Sequence, residues 1–210
     1  KLKNFILKDG AHLVMDYVEG MTLEKYIRTV TGPIPSEVAI AIIMEVGSAI
    51  GYAHQKQIPI DGYNGVLHLD IKPNNILISD AGKVMVIDYG ISQGTSENRM
   101  NQIVGSLMYM APEQLELDST LDHRTDIYAL GVLLHQMLTG VTPYSSGENR
   151  EDIIHNITNN PLQRLIDLYP YVDNRLQEII DIATSKDPDN RYESCEDFIN
   201  SLEKISYAAN

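Results

Sequence analysis

His68-Leu69-Asp70-Ile71-Lys72-Pro73-Asn74-Asn75, lying directly ahead of the short apolar run Ile76 to Ser79, decides how this chain is read. The stretch sets a carboxylate, an ammonium and a carboxamide in one loop at the entrance to a strand. A second strand, Val84 to Ile87, is joined to the first by the turn Asp80-Ala81-Gly82 and is followed at once by Asp88-Tyr89-Gly90. Groups at the ends of adjacent strands can converge on one point. Asn75 and Asp88 carry hard oxygen donors suited to Mg²⁺. Asp70 can accept a proton from an attacking hydroxyl, and Lys72 can neutralise charge on a moving phosphoryl group.

Composition bounds what can surround such a site. A chain of 210 residues suits one medium domain, or one large domain plus a remnant of another. Its 16 basic and 29 acidic residues leave a net charge of −13 and a pI near 4.7. That balance argues against a nucleic-acid surface, which needs a basic patch, and equally against an anionic membrane surface. Uninterrupted apolar runs such as Val38 to Met44 fall far short of a bilayer span, so no membrane segment is expected. The single Cys195 offers neither an internal disulfide nor a structural zinc cluster. With no signal peptide at the start, a cytoplasmic setting is the expectation.

Outward from the decisive loop, Phe5 to Lys8 and Ala11 to Val18 around Asp9-Gly10 read as a hairpin ended by Gly20. Thr22 to Val30 reads as a short helix. Ser36 stands where an N-cap belongs and opens a long helix to about Lys56, apolar on more than one face and therefore buried. Ile58 to Gly65 is a Gly-rich loop. Gly90 to Gly105 is a long aperiodic loop, and loops of that kind inside compact domains are usually functional. After Pro112 helices are predicted at Asp126–Leu138, Asn149–Thr158, Leu176–Ser185 and Ser194–Ile205. A few strands followed by many helices is an α+β order with a dominant helical body.

The motifs resemble those of the eukaryotic-like (Hanks-type) serine/threonine protein kinases. H-x-D-x-K-P-x-N, D-[FY]-G and Ala111-Pro112-Glu113 are similar to that family's catalytic loop, magnesium motif and end of the activation segment. Met15-Asp16-Tyr17-Val18-Glu19-Gly20 resembles its gatekeeper and hinge, and Asp126-Ile127-Tyr128-Ala129-Leu130-Gly131 the start of its buried central helix. Lys186 to Arg191 resembles the late junction whose Arg pairs with the Glu of A-P-E. The resemblance implies a protein-kinase-like α+β fold: a two-stranded remnant of the small lobe with the hinge over 1–20, and the mainly helical large lobe over 21–210. It implies ATP and Mg²⁺ as cofactors and a protein Ser/Thr hydroxyl as acceptor.

Residue by residue, the resemblance makes Asp70 the catalytic base, Lys72 the phosphate-contacting lysine, and Asn75 and Asp88 the magnesium ligands. The backbone of Asp16 and Val18 would bond adenine, with Met15 as gatekeeper and Leu77 as the apolar floor. Asp126 is expected to be buried and to bond the catalytic-loop backbone, with His68 a packing residue. Gly105-Ser106 is expected beside the acceptor hydroxyl.

The chain also departs from the family. Leu69 stands where the family has an arginine that pairs with a phosphate on the activation loop. Activation is therefore expected not to depend on phosphorylation of loop residues such as Thr95 or Ser96. No G-x-G occurs, and no V-A-I-K-like strand precedes Phe5. Together with the start at Lys1, this predicts a fragment of a longer kinase, nearly inactive alone. Apolar surface beneath a missing small lobe would favour self-association or a partner supplying that lobe.

A rival reading is a pseudokinase-like or small-lobe-deficient scaffold. A small-molecule phosphotransferase is a third, against which Glu113 with Arg191 speaks. The acidic stretch Glu113, Glu116, Asp118 and Asp122 is either a substrate-facing patch for basic residues or a solvated loop. Cys195 beside Glu193 and Glu196 is expected to be inert, and the remaining histidines structural or solvated.

Overall fold

The computed structural model describes residues 2–7, 11–29, 33–56, 65–88, 107–144, 149–169 and 172–206. The first elements are strands β1 (Leu2–Leu7) and β2 (Ala11–Met15), antiparallel with Leu7 opposite Ala11 and Phe5 opposite Leu13. The predicted loop 90–105 lies outside the described residues, as does the loop 58–65 apart from Gly65.

A second sheet orders β3 (Gly20–Thr22), β4 (Ile76–Ser79) and β5 (Val84–Val86) as β3-β4-β5, all antiparallel. Gly20, read from the sequence as the end of a hairpin, instead opens β3 opposite Ser79. Its φ is 153°, and a Cβ there would collide with the Ile78 carbonyl, so only glycine lets the two backbones meet this closely. The strand is three residues long and its partner is remote, so no local alternation announces it.

Helix α1 (Leu23–Thr29) leads to α2 (Ser36–His54). Ser36 is the first helical residue rather than the cap. Pro35 occupies the cap position, and its carbonyl accepts from the N–H groups of Val38 and Ala39 at 3.0 and 2.9 Å. From inside the first turn, the Ser36 hydroxyl does not cap the helix. Ile42, Ile43, Val46 and Ile50 are buried as predicted, whereas Val38 is exposed. By length and composition α2 would also suit a bilayer span; in this fold it packs against the helices His123–Thr139 and Cys195–Ser206.

Helix α3 (His123–Thr139) is the axis of the body, with every residue from Thr125 to Thr139 buried. It starts before the predicted Asp126 because Asp122 caps it, accepting from the Arg124 N–H at 2.7 Å. Gly140 ends it in the left-handed region at φ 68°. Around α3 stand α4 (Arg150–Asn159), capped by Asn149, the single turn α5 (Leu165–Leu168), α6 (Asn174–Ala183), capped by Asp173, and α7 (Cys195–Ser206). The turn α5 was not foreseen, since one turn is too short to show a period.

A Cβ on Gly131 of α3 would come within 2.8 Å of both Ala183 and Thr184, so this glycine sets how closely α3 and α6 approach. Ile43, Ile50, Ile76, Leu130, Leu133 and Phe198 are fully buried in one continuous core that spans sheet and helices. Burial of that kind contributes about 1.5–3 kcal/mol per large side chain.

Candidate active site

The site rests on Asp126, which is fully buried in the first turn of α3. Its Oδ2 accepts from the His68 N–H and its Oδ1 from the Leu69 N–H, both at 2.8 Å. The His54 Nε2 also lies 2.8 Å from Oδ2. A buried carboxylate is tolerated here because three donors and the positive end of a helix face it. His68 completes the platform. Its Nδ1 accepts from the Asp70 N–H at 3.3 Å, so Nε2 carries the proton and donates to the Ile87 carbonyl at 3.1 Å. This imidazole therefore ties the loop to the end of β5.

On that platform Asp70, Lys72 and Asn75 form one hydrogen-bonded group. The Lys72 ammonium donates to both Asp70 oxygens, at 2.8 and 2.7 Å. The Asn75 amide nitrogen donates to Asp70 Oδ2 at 2.9 Å and to the Asp70 carbonyl at 2.8 Å. Its nitrogen being so committed, the carboxamide oxygen of Asn75 is the atom suited to a cation.

Asp88 is brought alongside by the backbone. The Ile87 N–H donates to the Asn75 carbonyl at 2.9 Å, extending the β4–β5 ladder by one step beyond Ile76 opposite Val86. Asp88 thus leaves the sheet where Asn75 enters it, exposed and at φ 56°. A carboxylate and a carboxamide oxygen are a donor pair that fits Mg²⁺, which takes few protein oxygens and fills its octahedron with water and phosphate.

The four predicted nucleotide-side residues lie along the path from hairpin to sheet. Met15 ends β2, and Asp16 and Val18 follow outside regular structure, Asp16 exposed and Val18 half-buried. Leu77 sits half-buried in β4, flanked by Thr22 of β3 and Met85 of β5. Gly105-Ser106 lies outside the described residues.

The turn Pro112–Leu115 is tied to the junction that carries Arg191. Arg191 donates from Nη1 to Glu113 Oε1 at 2.7 Å and from Nη2 to Oε2 at 2.8 Å, and the Thr125 hydroxyl donates to Oε1 at 2.9 Å. Burial alone would raise the Glu113 carboxyl; the Arg191 hydrogen bonds and charge outweigh it and hold the group below the usual carboxylate value. Arg191 is further held by the Ser185 and Arg124 carbonyls.

Beside this pair, the Lys186 ammonium donates to the Ile157 carbonyl at 2.6 Å and to the Tyr144 hydroxyl at 2.9 Å. Burial, helped by the nearby Arg191 charge, pushes Lys186 down to about 8.

The acidic stretch divides. Glu113 belongs to Arg191, and Asp122 caps α3 and pairs with Arg124, leaving Glu116 and Asp118 exposed.

The family model described as protein kinase domain matches residues 2–203. This chain belongs to the protein kinase family. It is 40% identical over 194 residues to the serine/threonine-protein kinase PrkC of Bacillus subtilis, covering 90% of this chain and 28% of that protein. It is 35% identical over 194 residues to the probable serine/threonine-protein kinase PknB of Lactococcus lactis, covering 91% and 29%. Among solved structures it resembles the kinase domain of Mycobacterium tuberculosis PknI, with a TM-score of 0.72 at 25% identity, covering 97% of this chain and 70% of that one. The chain spans under a third of the length of the PrkC and PknB relatives.

Two residues that shape this candidate site escaped sequence reasoning. His54, grouped with scattered histidines, backs Asp126 from the end of α2. The available signal was its place four residues beyond the buried Ile50. Gln114 joins the Ala111 N–H, which donates to its Oε1 at 2.9 Å, to the Leu69 carbonyl, which accepts from its Nε2 at 3.0 Å. Nothing local marks it. Cys195 is 2% exposed, with its sulfur 3.7 Å from His54 Nδ1; burial, reinforced by Asp126, pushes the thiol up to about 12.

Proposed function

We propose that this chain is the catalytic body of an ATP- and Mg²⁺-dependent serine/threonine protein kinase, acting in the cytoplasm on protein hydroxyls. The observation that carries the reading is the Asp70 carboxylate, held between Lys72 and Asn75 while Asn75 is laddered through Ile87 to Asp88. The relatives are named as serine/threonine-protein kinases, which supports the substrate class.

In this reading Asp70 aligns the acceptor hydroxyl and takes its proton as the oxygen attacks the γ-phosphorus of ATP. The bond from that phosphorus to the bridging oxygen breaks, and ADP leaves with the electron pair. Lys72, already paired with Asp70, stabilises charge on the transferring phosphoryl group. Asn75 and Asp88 would hold Mg²⁺, which neutralises phosphate charge when bound. Met15, Asp16, Val18 and Leu77 would receive the adenine.

Calorimetric titration of Mg-ATP into this chain, with Asp88→Asn as control, tests the nucleotide site. Weak, magnesium-dependent binding that the variant loses is the expected result. With the complete gene product, transfer to a generic protein substrate rather than to small alcohols is expected, and phosphatase treatment should leave the rate unchanged because Leu69 has no charge to meet a loop phosphate. Absent binding by the chain together with absent transfer by the complete product would favour a scaffold, the reading that Leu69 independently supports.

A further inference from the structure

We infer that Gln114 is a positioning residue for phosphoryl transfer: its carboxamide clasps the Leu69 carbonyl and so fixes the peptide that carries Asp70. The inference rests on the reading of Asp70 as the base.

Leu69 lies at φ 62°, in the left-handed region. For a residue with a Cβ this costs about 1–2 kcal/mol and persists only where the surroundings over-determine it. The surroundings here are two hydrogen bonds on opposite sides of the residue. Its N–H donates to Asp126 Oδ1 at 2.8 Å, and its carbonyl accepts from Gln114 Nε2 at 3.0 Å.

The second of these bonds bears on Asp70. The peptide between Leu69 and Asp70 has two handles, the Leu69 carbonyl and the Asp70 N–H. Gln114 grips the first at 3.0 Å, and His68 Nδ1 grips the second at the longer distance of 3.3 Å. Rotation of this peptide changes ψ at Leu69 and φ at Asp70, the torsions on either side of it. Such a rotation would swing the Asp70 carboxylate away from Lys72 and Asn75. Gln114 is the shorter of the two restraints against that rotation.

The same carboxamide also reaches the other way. Its Oε1 accepts from the Ala111 N–H, in the turn that Glu113 bolts to Arg191. The catalytic loop is thereby hydrogen-bonded to an anchored piece of the chain through a single side chain. Accepting from an N–H and donating to a carbonyl from neighbouring atoms requires a carboxamide; an ionised glutamate offers acceptors alone.

That difference supplies the test. Gln114→Glu can still accept from Ala111 but has no hydrogen for Leu69, whereas Gln114→Ala loses both bonds. Amide hydrogen exchange is read at Leu69 and Asp70 in this chain, with the amides of α3 from Ala129 to Leu133 as internal control. In the complete gene product, kcat and the KM for Mg-ATP are measured separately.

Both variants are expected to speed exchange of the Asp70 amide by about tenfold with α3 unchanged, and to lower kcat by about tenfold with KM within about twofold. Exchange and turnover of Gln114→Glu equal to the parent would overturn the inference and leave Gln114 as a cap of its own turn. If Gln114→Ala fails to fold, the Glu variant, which keeps that cap, decides alone. If the parent transfers no phosphoryl group at all, the proposed function fails while the exchange measurement still settles the clasp.

Discussion

Glu113 and Arg191 meet in two parallel hydrogen bonds of 2.7 and 2.8 Å, with both side chains buried. The pair joins the turn at 112–115 to the junction ahead of α7. Losing one partner would strand the other charge in the interior, so Glu113→Ala should cost about 3–5 kcal/mol in urea denaturation. The double variant with Arg191→Ala should cost clearly less than the sum of the single changes. The carboxyl titrates lower in the folded chain than in the unfolded one. Its contribution is therefore complete above the unfolded value and drains away as pH falls through the folded value. Additive single and double effects would show that the two side chains act independently.

Asp126 spends one carboxylate on three donors, His54, His68 and Leu69. Asp126→Asn replaces one acceptor oxygen by an N–H₂ that faces another donor. A loss of about 1–3 kcal/mol is expected, with faster exchange at the His68 and Leu69 amides. Unchanged protection at both amides would mean that the loop holds its shape without this support.

Lys186 titrates near 8 in the folded chain, against 10.5 for the free side chain. Between those values the unfolded chain binds more protons than the folded one, so this group makes stability rise with pH through that window. Urea midpoints at pH 7 and 9 should show a rise in the parent that Lys186→Met removes. The buried tyrosines Tyr128 and Tyr144 are shifted upward and act in the opposite sense, but only near and above pH 10. A rise of equal size in the variant would assign it to other groups.

Cys195, buried and shifted to about 12, should resist a thiol-reactive disulfide reagent at pH 8 in the native chain and react fully in denaturant. Rapid native labelling would show that α7 opens readily from α2.

Much of the candidate site was legible because it is local. Asp70, Lys72 and Asn75 sit in one loop, so their nearness to one another follows from nearness along the chain. The helices were legible through buried periodicity, although α3 begins ahead of its apolar pattern because Asp122 caps it. Short elements with remote partners were not. The strand at Gly20 pairs with Ser79, and no residue near Gly20 announces that partner.

By itself the sequence determined which chemical groups stand beside Asp70 and which helices enclose them, since both depend on near neighbours along the chain. Only the tertiary structure decided what holds the loop in place: His54 and Asp126 are 72 positions apart, and Gln114 and Leu69 are 45 apart. A hydrogen bond depends on distance and direction between atoms, and for residues so far apart those are set by how α2, α3 and the turn at 112–115 pack, not by their order in the chain.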